Sequence, residues 1–331
     1  MVNEQSLQSL CEERGMRSGE EHIVAYLAAD GYTDILLEEL FRRRARVLET
    51  RERLVLAEGP AARPYPAWAQ NVWLNPRFIP VASISDAARQ LRAMQRNWHL
   101  TPTGNHRRAA LIAEKLPHVS ARPLRFGESA PEAPLGSWTL WDTDRLLASP
   151  MCSSAFPDGE VRFVEDHSNP PSRAYLKLWE LFTLMPEAMP APGQLCLDLG
   201  AAPGGWTYVL ASIGARVFAI DKAPLAANVR AMRNVESCVG SGFGLDPRHA
   251  GAVDWFFSDM ICYPERLYEV VTRWLSLGEC RRFVCTLKCQ GETDHASIER
   301  FSALPGSKVI HLSCNKHELT WVLLPQSSGH A

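Results

Sequence analysis

The residues most capable of chemistry lie in the run LCLDLGAAPGGWTYVL, at positions 195–210. An apolar strand that ends at Asp198 leads into a glycine-rich turn, and the turn leads directly into a helix. Glycine allows a tight turn and a close approach of the backbone to a ligand. A second apolar run, ARVFAID, ends at Asp221. An α/β sheet binds a nucleoside with a unit of this kind: a strand, a glycine turn, a helix and a second strand that ends in an acid.

The glycine spacing indicates which nucleoside cofactor this turn favours. It differs from the G-x-G-x-x-G of dinucleotide-binding proteins, and no helix N-terminus is clearly aimed at a pyrophosphate. The pattern therefore favours S-adenosylmethionine over NAD. We expect Asp221 to bind the ribose hydroxyls, the alternative being a helix N-cap. The other residues expected at this cofactor are Asp198, Gly200, Ala202, Pro203, Gly204, Gly205 and Trp206. For Asp198 the alternative is that it orients the glycine turn, and for Trp206 the alternative is packing of the helix against the sheet.

Four charged residues outside this unit lie in recognisable local contexts. They are Lys177 in PSRAYLKLWE, Asp259 in WFFSDMICYP, Lys288 in FVCTLKCQGE and Glu318 in NKHELTWVLL. With these segments the chain resembles the FtsJ/RrmJ-like ribose 2′-O-methyltransferases, whose Lys–Asp–Lys–Glu tetrad lies in the same contexts. The resemblance covers roughly residues 168–324, about half of the protein. Within that family the chain is most similar to the RlmM-type enzymes, which methylate a cytidine ribose in large-subunit (23S) ribosomal RNA.

The resemblance implies methyl transfer from S-adenosylmethionine to an RNA ribose 2′-hydroxyl. This hydroxyl is a poor nucleophile at neutral pH and must lose its proton as the methyl group arrives. A lysine can accept that proton only if its pKa falls well below about 10.4, which a nearby cation and desolvation favour. By resemblance, Lys288 is the proton acceptor, and Lys177, Asp259 and Glu318 tune and position it.

Two further cofactor contacts are expected from the family pattern. Asp259 follows the fourth strand at the edge where such sheets bind ligands, so we expect it near the methionine part of the cofactor as well. RlmM-type relatives have an acidic residue before a Gly-Phe pair at the end of the third strand, where the adenine is held. Here Ser241 takes that place. A hydroxyl can still donate or accept a hydrogen bond, and Asp246 is a possible substitute.

A basic patch in the first half is the candidate RNA contact. Between positions 87 and 125 there are eight lysines and arginines against the single acid Glu114. Because the net charge of the chain is −2, any affinity for RNA must come from a local patch of this kind. Arginine suits phosphate contacts and base stacking, the alternative being a solvated helix face. The residues expected to contact RNA are Arg89, Arg92, Arg96, Arg107 and Arg108.

The length of 331 residues predicts two domains. We expect a polar tail at 1–20, an α+β RNA- or substrate-binding domain at 21–150, a linker at 151–171 and a methyltransferase domain at 172–326. A β-α-β-β-α-β-like order in the first half suggests a ferredoxin-like sandwich. Its elements would be HIVAYLA, TDILLEELFRR, RARVLETRERLVLAE, NVWLNPRFIPV, AARQLRAMQRNW and SWTLWDT. RlmM-type proteins carry a THUMP module in their N-terminal region, which this half matches only loosely.

The second half alternates strands and helices, which predicts a Rossmann-like, class I methyltransferase fold with a mostly parallel sheet. Strands are expected at 194–198, 215–220, 253–258, 282–287, 308–312 and 318–324. Helices are expected from Ser172 to before Pro186 and at 205–213, 223–232, 265–276 and 294–303. The last two strands must be antiparallel, because residues 313–317 are too few for a crossover.

Composition limits the class of protein. No run of eighteen apolar residues exists, and the first residues lack the apolar segment of a signal peptide. Nine cysteines without paired C-x-x-C spacing favour a reducing compartment, so we expect a cytoplasmic protein. We also expect it to bind neither membranes nor metals. Nothing in the sequence demands more than a monomer, so a monomer is expected. Zinc ligation by Cys285 and Cys289 is the alternative to buried thiols.

Two other functions compete with methyl transfer. A nicotinamide-dependent oxidoreductase would lack G-x-G-x-x-G and leave the tetrad unexplained. A non-catalytic RNA-binding protein, targeted to transfer or messenger RNA, could keep the fold. It would have no need for both lysines, so the tetrad argues against it.

Overall fold

The computed structural model describes residues 22–325, so the predicted polar tail at 1–20 lies outside them. The described chain forms one seven-stranded sheet and two four-stranded sheets. No helix among these residues is both long and apolar enough to cross a membrane.

The first sheet is antiparallel and has the strand order β2-β3-β1-β4. Its elements are β1 (Ile23–Ala28), α1 (Thr33–Arg42), β2 (Val47–Arg51), β3 (Leu54–Glu58) and β4 (Ala69–Trp73). This order is the one expected of a ferredoxin-like arrangement, and the prediction is confirmed in that respect. The strand predicted as RARVLETRERLVLAE forms a hairpin, which turns at Glu52 in a left-handed conformation.

The second half of the predicted sandwich is wrong in detail. Residues 59–68, which contain three prolines, cross between β3 and β4 where a ferredoxin-like fold would have its second helix. The run NVWLNPRFIPV is not one strand, because the chain bends before Pro76, whose nitrogen cannot donate to a ladder. The chain then enters a second sheet with the order β5-β8-β7-β6, to which the predicted helix at 87–98 and strand SWTLWDT belong. Its elements are β5 (Arg77–Pro80), α2 (Ile84–Met94), β6 (Trp98–Leu100), α3 (His106–Ala113), β7 (Gly136–Asp142) and β8 (Arg145–Ser149).

The seven-stranded sheet has the order β11-β10-β9-β12-β13-β15-β14 and confirms the Rossmann-like prediction. Six strands point in the same direction, and β15 alone is antiparallel, pairing with β13 on one side and β14 on the other. Its strands are β9 (Leu195–Leu199), β10 (Arg216–Asp221), β11 (Val235–Val239), β12 (Trp255–Ser258), β13 (Phe283–Lys288), β14 (Ser307–Ile310) and β15 (Glu318–Leu323). Its helices are α4 (Tyr175–Leu184), α5 (Gly205–Ser212), α6 (Ala227–Arg230), α7 (Pro247–Ala250), α8 (Pro264–Leu277) and α9 (His295–Ser302).

Burial explains which of these strands were predictable. The central strands β9, β12 and β13 are almost wholly buried and read as continuous apolar runs, as parallel strands covered on both faces do. The edge strand β11 is mostly exposed, and its sequence VESCV carries no such signal. The set of predicted strands therefore lacks β11, although the predicted place of Ser241 implied a third strand before it.

The first sheet and the seven-stranded sheet share one apolar core, which includes Val24, Leu36 and Trp68 together with Trp274 and Trp321. At the junction lie four aromatic rings, and in five pairs among them the ring centroids are less than 6 Å apart. We call this group, Tyr32, Trp68, His311 and His317, the junction cluster. The backbone also contributes, because the His311 amide donates to the Ala67 carbonyl at 3.1 Å.

Candidate active site

A cavity of about 360 Å³ lies at the carboxyl edge of the parallel strands. This is the edge at which open α/β sheets bind ligands, because the loops after neighbouring strands converge there. Most residues predicted to bind the cofactor line this cavity. They are Asp198, Gly200, Ala202, Pro203, Gly205, Trp206, Asp221, Ser241 and Asp259.

The glycines shape the cavity through close contacts of the backbone. Gly200 has a φ of +77°, and a Cβ there would lie 2.7 Å from the backbone of Met260. A Cβ on Gly205 would lie 2.6 Å from the Ser172 hydroxyl. Gly204 is not one of the lining residues; it precedes α5 with a φ of +115°, so its part is conformational. The turn therefore needs glycine at three places for three different reasons.

Asp198 is fully buried beneath the glycine turn. Its Oδ2 accepts a 2.6 Å hydrogen bond from the Thr207 hydroxyl, whereas its Oδ1 has no partner. Burial, reinforced by the charges of Asp259 and Asp221, raises the pKa of Asp198 to about 7. Ser172 likewise has a buried hydroxyl without a partner on the same cavity. An unpartnered buried acceptor costs free energy, so the cavity is suited to a ligand that donates hydrogen bonds and carries positive charge.

Asp221 ends β10 and is held by two backbone amides. Its Oδ2 accepts from Ala202 at 3.0 Å, and its Oδ1 accepts from Ala223 at 2.9 Å. Asp221 therefore lies at the cavity, and the alternative of a helix N-cap is wrong, because the next helix begins at Ala227 with Ala226 as its N-cap. Each oxygen keeps a second acceptor site for a ligand hydroxyl.

Three other predicted positions are resolved by the structure. Trp206 is both cavity wall and packing residue, because its buried indole donates to the Ala174 carbonyl and lies edge-on to Phe257. Ser241 lines the cavity, as the family pattern predicted. Asp246 does not; it caps α7 and pairs with Arg248, so it is no substitute for Ser241.

The structure brings the four predicted catalytic residues into contact. The Lys177 ammonium lies 2.7 Å from Glu318 Oε1 and 3.1 Å from Asp259 Oδ1. The Lys288 ammonium lies 2.9 Å from the same Asp259 oxygen and donates to the Asp259 carbonyl at 2.7 Å. Lys288 and Asp259 line the cavity, while Lys177 and Glu318 lie behind them.

The charges of this tetrad compensate one another in a mostly buried setting. Burial disfavours the Lys177 ammonium, but the carboxylates of Asp259 and Glu318 outweigh burial and raise the pKa of Lys177. Burial also favours the protonated form of Asp259, but Lys177 and Lys288 outweigh it and lower the pKa of Asp259. These interactions keep Lys177 in its cationic form and Asp259 in its anionic form.

Sequence reasoning missed Glu180, which lies one turn after Lys177 on α4. Its buried carboxylate accepts hydrogen bonds from the Ser313 amide at 2.9 Å and from the Ser313 hydroxyl at 2.7 Å. Burial raises the pKa of Glu180 to about 7. Because Ser313 begins the loop that leads to Glu318, α4 holds both ends of that loop. The sequence does contain a signal for Glu180, because residues three apart, such as Lys177 and Glu180, lie on the same face of a helix.

The five predicted RNA-contacting arginines lie on α2, on α3 and between them, outside the cavity lining. The structure does not leave them equivalent. Arg89 pairs with Asp86, and Arg92 donates to the Lys115 carbonyl at 2.8 Å. Arg96 and Arg107 are exposed, and Arg108 is half-buried.

Cys285 and Cys289 are buried on either side of Lys288, and burial raises the pKa of both thiols. Among residues 22–325, no three or more His, Cys, Asp or Glu side chains are grouped to hold a metal ion.

Comparisons with known proteins give one family and several relatives. Residues 170–281 match the model of the FtsJ-like methyltransferase family. The chain is 44% identical over 123 residues to the ribosomal RNA large subunit methyltransferase M of Alkalilimnicola ehrlichii, which covers 36% of this chain and 34% of that protein. It is 38% identical over 160 residues to the protein of the same name from Azotobacter vinelandii, covering 46% of this chain and 44% of the relative.

The chain thus spans less than half of the length of these curated relatives. The family model matches the part of the chain in which the glycine turn was recognised. The predicted resemblance is confirmed: residues 170–281 are similar to the FtsJ-like methyltransferases.

Proposed function

We propose that this chain is an S-adenosylmethionine-dependent RNA ribose 2′-O-methyltransferase that acts on a cytidine of large-subunit ribosomal RNA. The observation that carries the proposal is the convergence of Lys177, Asp259, Lys288 and Glu318 on one wall of the cofactor-sized cavity. The names of the curated relatives support a ribosomal RNA substrate. The 2′-hydroxyl and the cytidine follow from the resemblance of the tetrad segments.

The cavity residues fit the cofactor. Asp198, with its free buried oxygen, would face the positive charge of the cofactor's sulfonium, and Asp221 would bind the ribose hydroxyls. Ser241 and the neighbouring backbone at Gly242 would lie against the adenine. Bound S-adenosylmethionine supplies a methyl group on a sulfonium for in-line displacement.

The tetrad would handle the proton of the attacking hydroxyl. Lys288 uses two of its three donor positions on Asp259, which leaves the third direction for a ribose 2′-hydroxyl in the cavity. In its neutral form the Lys288 amine accepts the hydroxyl proton. Asp259 fixes the Lys288 side chain, while Lys177 and Glu318 fix Asp259.

The first half of the chain would supply RNA affinity through the exposed arginines of α2 and α3. An enzyme of ribosomal RNA with this cysteine content would act in the cytoplasm, and the site needs no second copy of the chain. The non-catalytic alternative would keep the cavity but have no use for Lys288 on its wall.

The test is methyl transfer by the full chain from radiolabelled S-adenosylmethionine to ribosomal RNA from cells that lack this protein. We expect label in large-subunit RNA at a nucleotide whose 3′ phosphodiester resists alkali, the signature of a 2′-O-methyl group. RNA carrying 2′-deoxycytidine at the labelled position should accept no methyl group. Label on a base, or no label at all, would contradict the proposal.

A further inference from the structure

The loop that follows β12 exposes apolar side chains at the mouth of the cavity. Along this loop Met260, Cys262 and Pro264 are buried, while Ile261 is 82% exposed and Tyr263 is 61% exposed. The buried residues anchor the loop, and the alternation directs the other two outward. An isolated exposed apolar residue needs no explanation, but two that are held outward beside a cavity indicate a contact surface.

The position of this surface relates it to the tetrad. Ile261 lines the cavity together with Lys288, and it follows the tetrad residue Asp259 by two positions. A part of the RNA that contacts Ile261 would therefore lie next to the ribose hydroxyl that is proposed to receive the methyl group.

A cation completes the surface. Arg266, in the first turn of α8, is exposed, and its guanidinium lies 3.8 Å from the ring centroid of Phe243, which lines the same cavity. No carboxylate in the described part of the chain forms an ion pair with Arg266. Its planar donors thus remain available for an anion. We call Ile261, Tyr263 and Arg266 the rim step.

The chemistry of the rim step suits one nucleotide. An aromatic and an aliphatic side chain provide a flat apolar support on which a base can stack, and a guanidinium binds phosphate oxygens in a fork. A base in a duplex already stacks on both faces, so only an unpaired base can use such a support.

Building on the proposed function, we propose that the rim step binds the base and phosphate of an unpaired nucleotide adjacent to the methylated one. Its base lies on Tyr263 and Ile261, and its phosphate binds Arg266. The enzyme therefore requires a single-stranded segment at its target and rejects a continuous duplex there.

The experiment measures binding by the full chain of a fluorescein-labelled, mixed-sequence RNA of about 12 nucleotides, single-stranded or paired with its complement. Tyr263→Ala should weaken single-strand binding about fivefold to a hundredfold, and Tyr263→Phe should restore it. Arg266→Gln should lower the slope of log affinity against log salt by about 0.7, as the loss of one phosphate contact predicts. Binding of the duplex should respond to neither tyrosine variant.

Matched controls come from the same half of the chain, at positions outside the cavity lining. Leu277→Ser changes an exposed apolar residue at the last position of α8. Arg216→Gln changes an exposed arginine at the first position of β10, the end of the strand away from the cavity. Both should bind RNA like the wild type. Retained S-adenosylmethionine binding by Tyr263→Ala, measured by calorimetry, shows that the variant is folded.

Absent binding of the single strand, or equal affinity of all variants, overturns the rim step. So does a dimer of the wild type that Tyr263→Ala dissolves without changing RNA affinity, since the surface would then bind a second copy. If the variants behave as expected but the wild type transfers no methyl group to RNA, the proposed function fails and the rim step stands as an RNA contact.

Discussion

Lys288 and Glu318 are paired across the antiparallel ladder of β13 and β15, yet their charged groups take different partners. The Lys288 ammonium turns to Asp259, and the Glu318 carboxylate turns to Lys177. The two cations and two anions therefore form a chain, Glu318–Lys177–Asp259–Lys288, whose last member faces the cavity. The residue that we propose as the proton acceptor, Lys288, thus lies at the end of the chain that faces the cavity.

The first prediction concerns that end. Lys288→Ala should abolish methyl transfer while S-adenosylmethionine binding stays within a few-fold, because its interaction matters in the transition state. Lys288→Arg should be nearly as inactive, since a guanidinium does not lose its proton near neutral pH. Single-turnover rates and calorimetry check both. A Lys288→Arg enzyme with more than about a tenth of the wild-type rate would show that the residue stabilises charge and is not the base.

The second prediction concerns cofactor affinity. Asp221→Ala should remove charge-assisted hydrogen bonds worth about 1.5–3 kcal/mol, or roughly a tenfold to a hundredfold loss in affinity for S-adenosylmethionine. Glu236→Ala, at an exposed position on β11, is the control and should bind normally. Equal affinities of the two variants in calorimetry would remove Asp221 from the ribose site.

The third prediction is a pH dependence of cofactor binding. Burial raises the pKa of Asp198 to about 7, so the carboxyl is mostly protonated at pH 6 and mostly ionised at pH 8. The sulfonium keeps its charge in this range and favours the carboxylate. Affinity should therefore rise about tenfold from pH 6 to pH 8, with a proton released on binding at the lower pH. Asp198→Asn should bind weakly and without this trend; an identical trend in that variant would assign the titration to another group.

The fourth prediction tests Glu180 as a positioning residue. Glu180→Ala should lower kcat about tenfold or more with the KM for S-adenosylmethionine unchanged, because the loop before Glu318 loses its hydrogen bonds to α4. Glu180→Gln, whose side-chain oxygen can still accept from Ser313, should recover much of the rate. Thr183→Ala, one turn further along α4, serves as the control. A loss of stability with unchanged kcat would leave Glu180 as a purely structural residue.

The fifth prediction separates the arginines of the basic patch. Replacing the exposed Arg96 and Arg107 by Ala should weaken RNA binding and lower its salt slope. Arg89→Ala should have a smaller effect, since Asp86 already pairs with Arg89. Filter binding at several salt concentrations checks this, and an unchanged slope in the double variant would make the patch a solvated helix face.

The sequence predicted the catalytic half well because its signals are local and strong. Buried parallel strands read as apolar runs, and the glycine turn and tetrad segments have fixed contexts. Glu180 and the rim step escaped because their meaning depends on partners far along the chain, such as Ser313 and Phe243. The first half was harder to predict because the short β6 and the hairpin strand β8 gain their stability from cross-strand pairing rather than from their own pattern.

The junction cluster has a consequence for the evolution and engineering of this protein. Tyr32 and Trp68, from the first half, pack against His311 and His317, which flank the loop that Glu180 holds before Glu318. The loop before Glu318, a residue of the proposed tetrad, is thus supported by side chains from the first half of the chain. Residues 172–325 therefore cannot be moved unchanged onto another N-terminal domain. A chimera that replaces the first half must rebuild this aromatic contact to keep Glu318 in place.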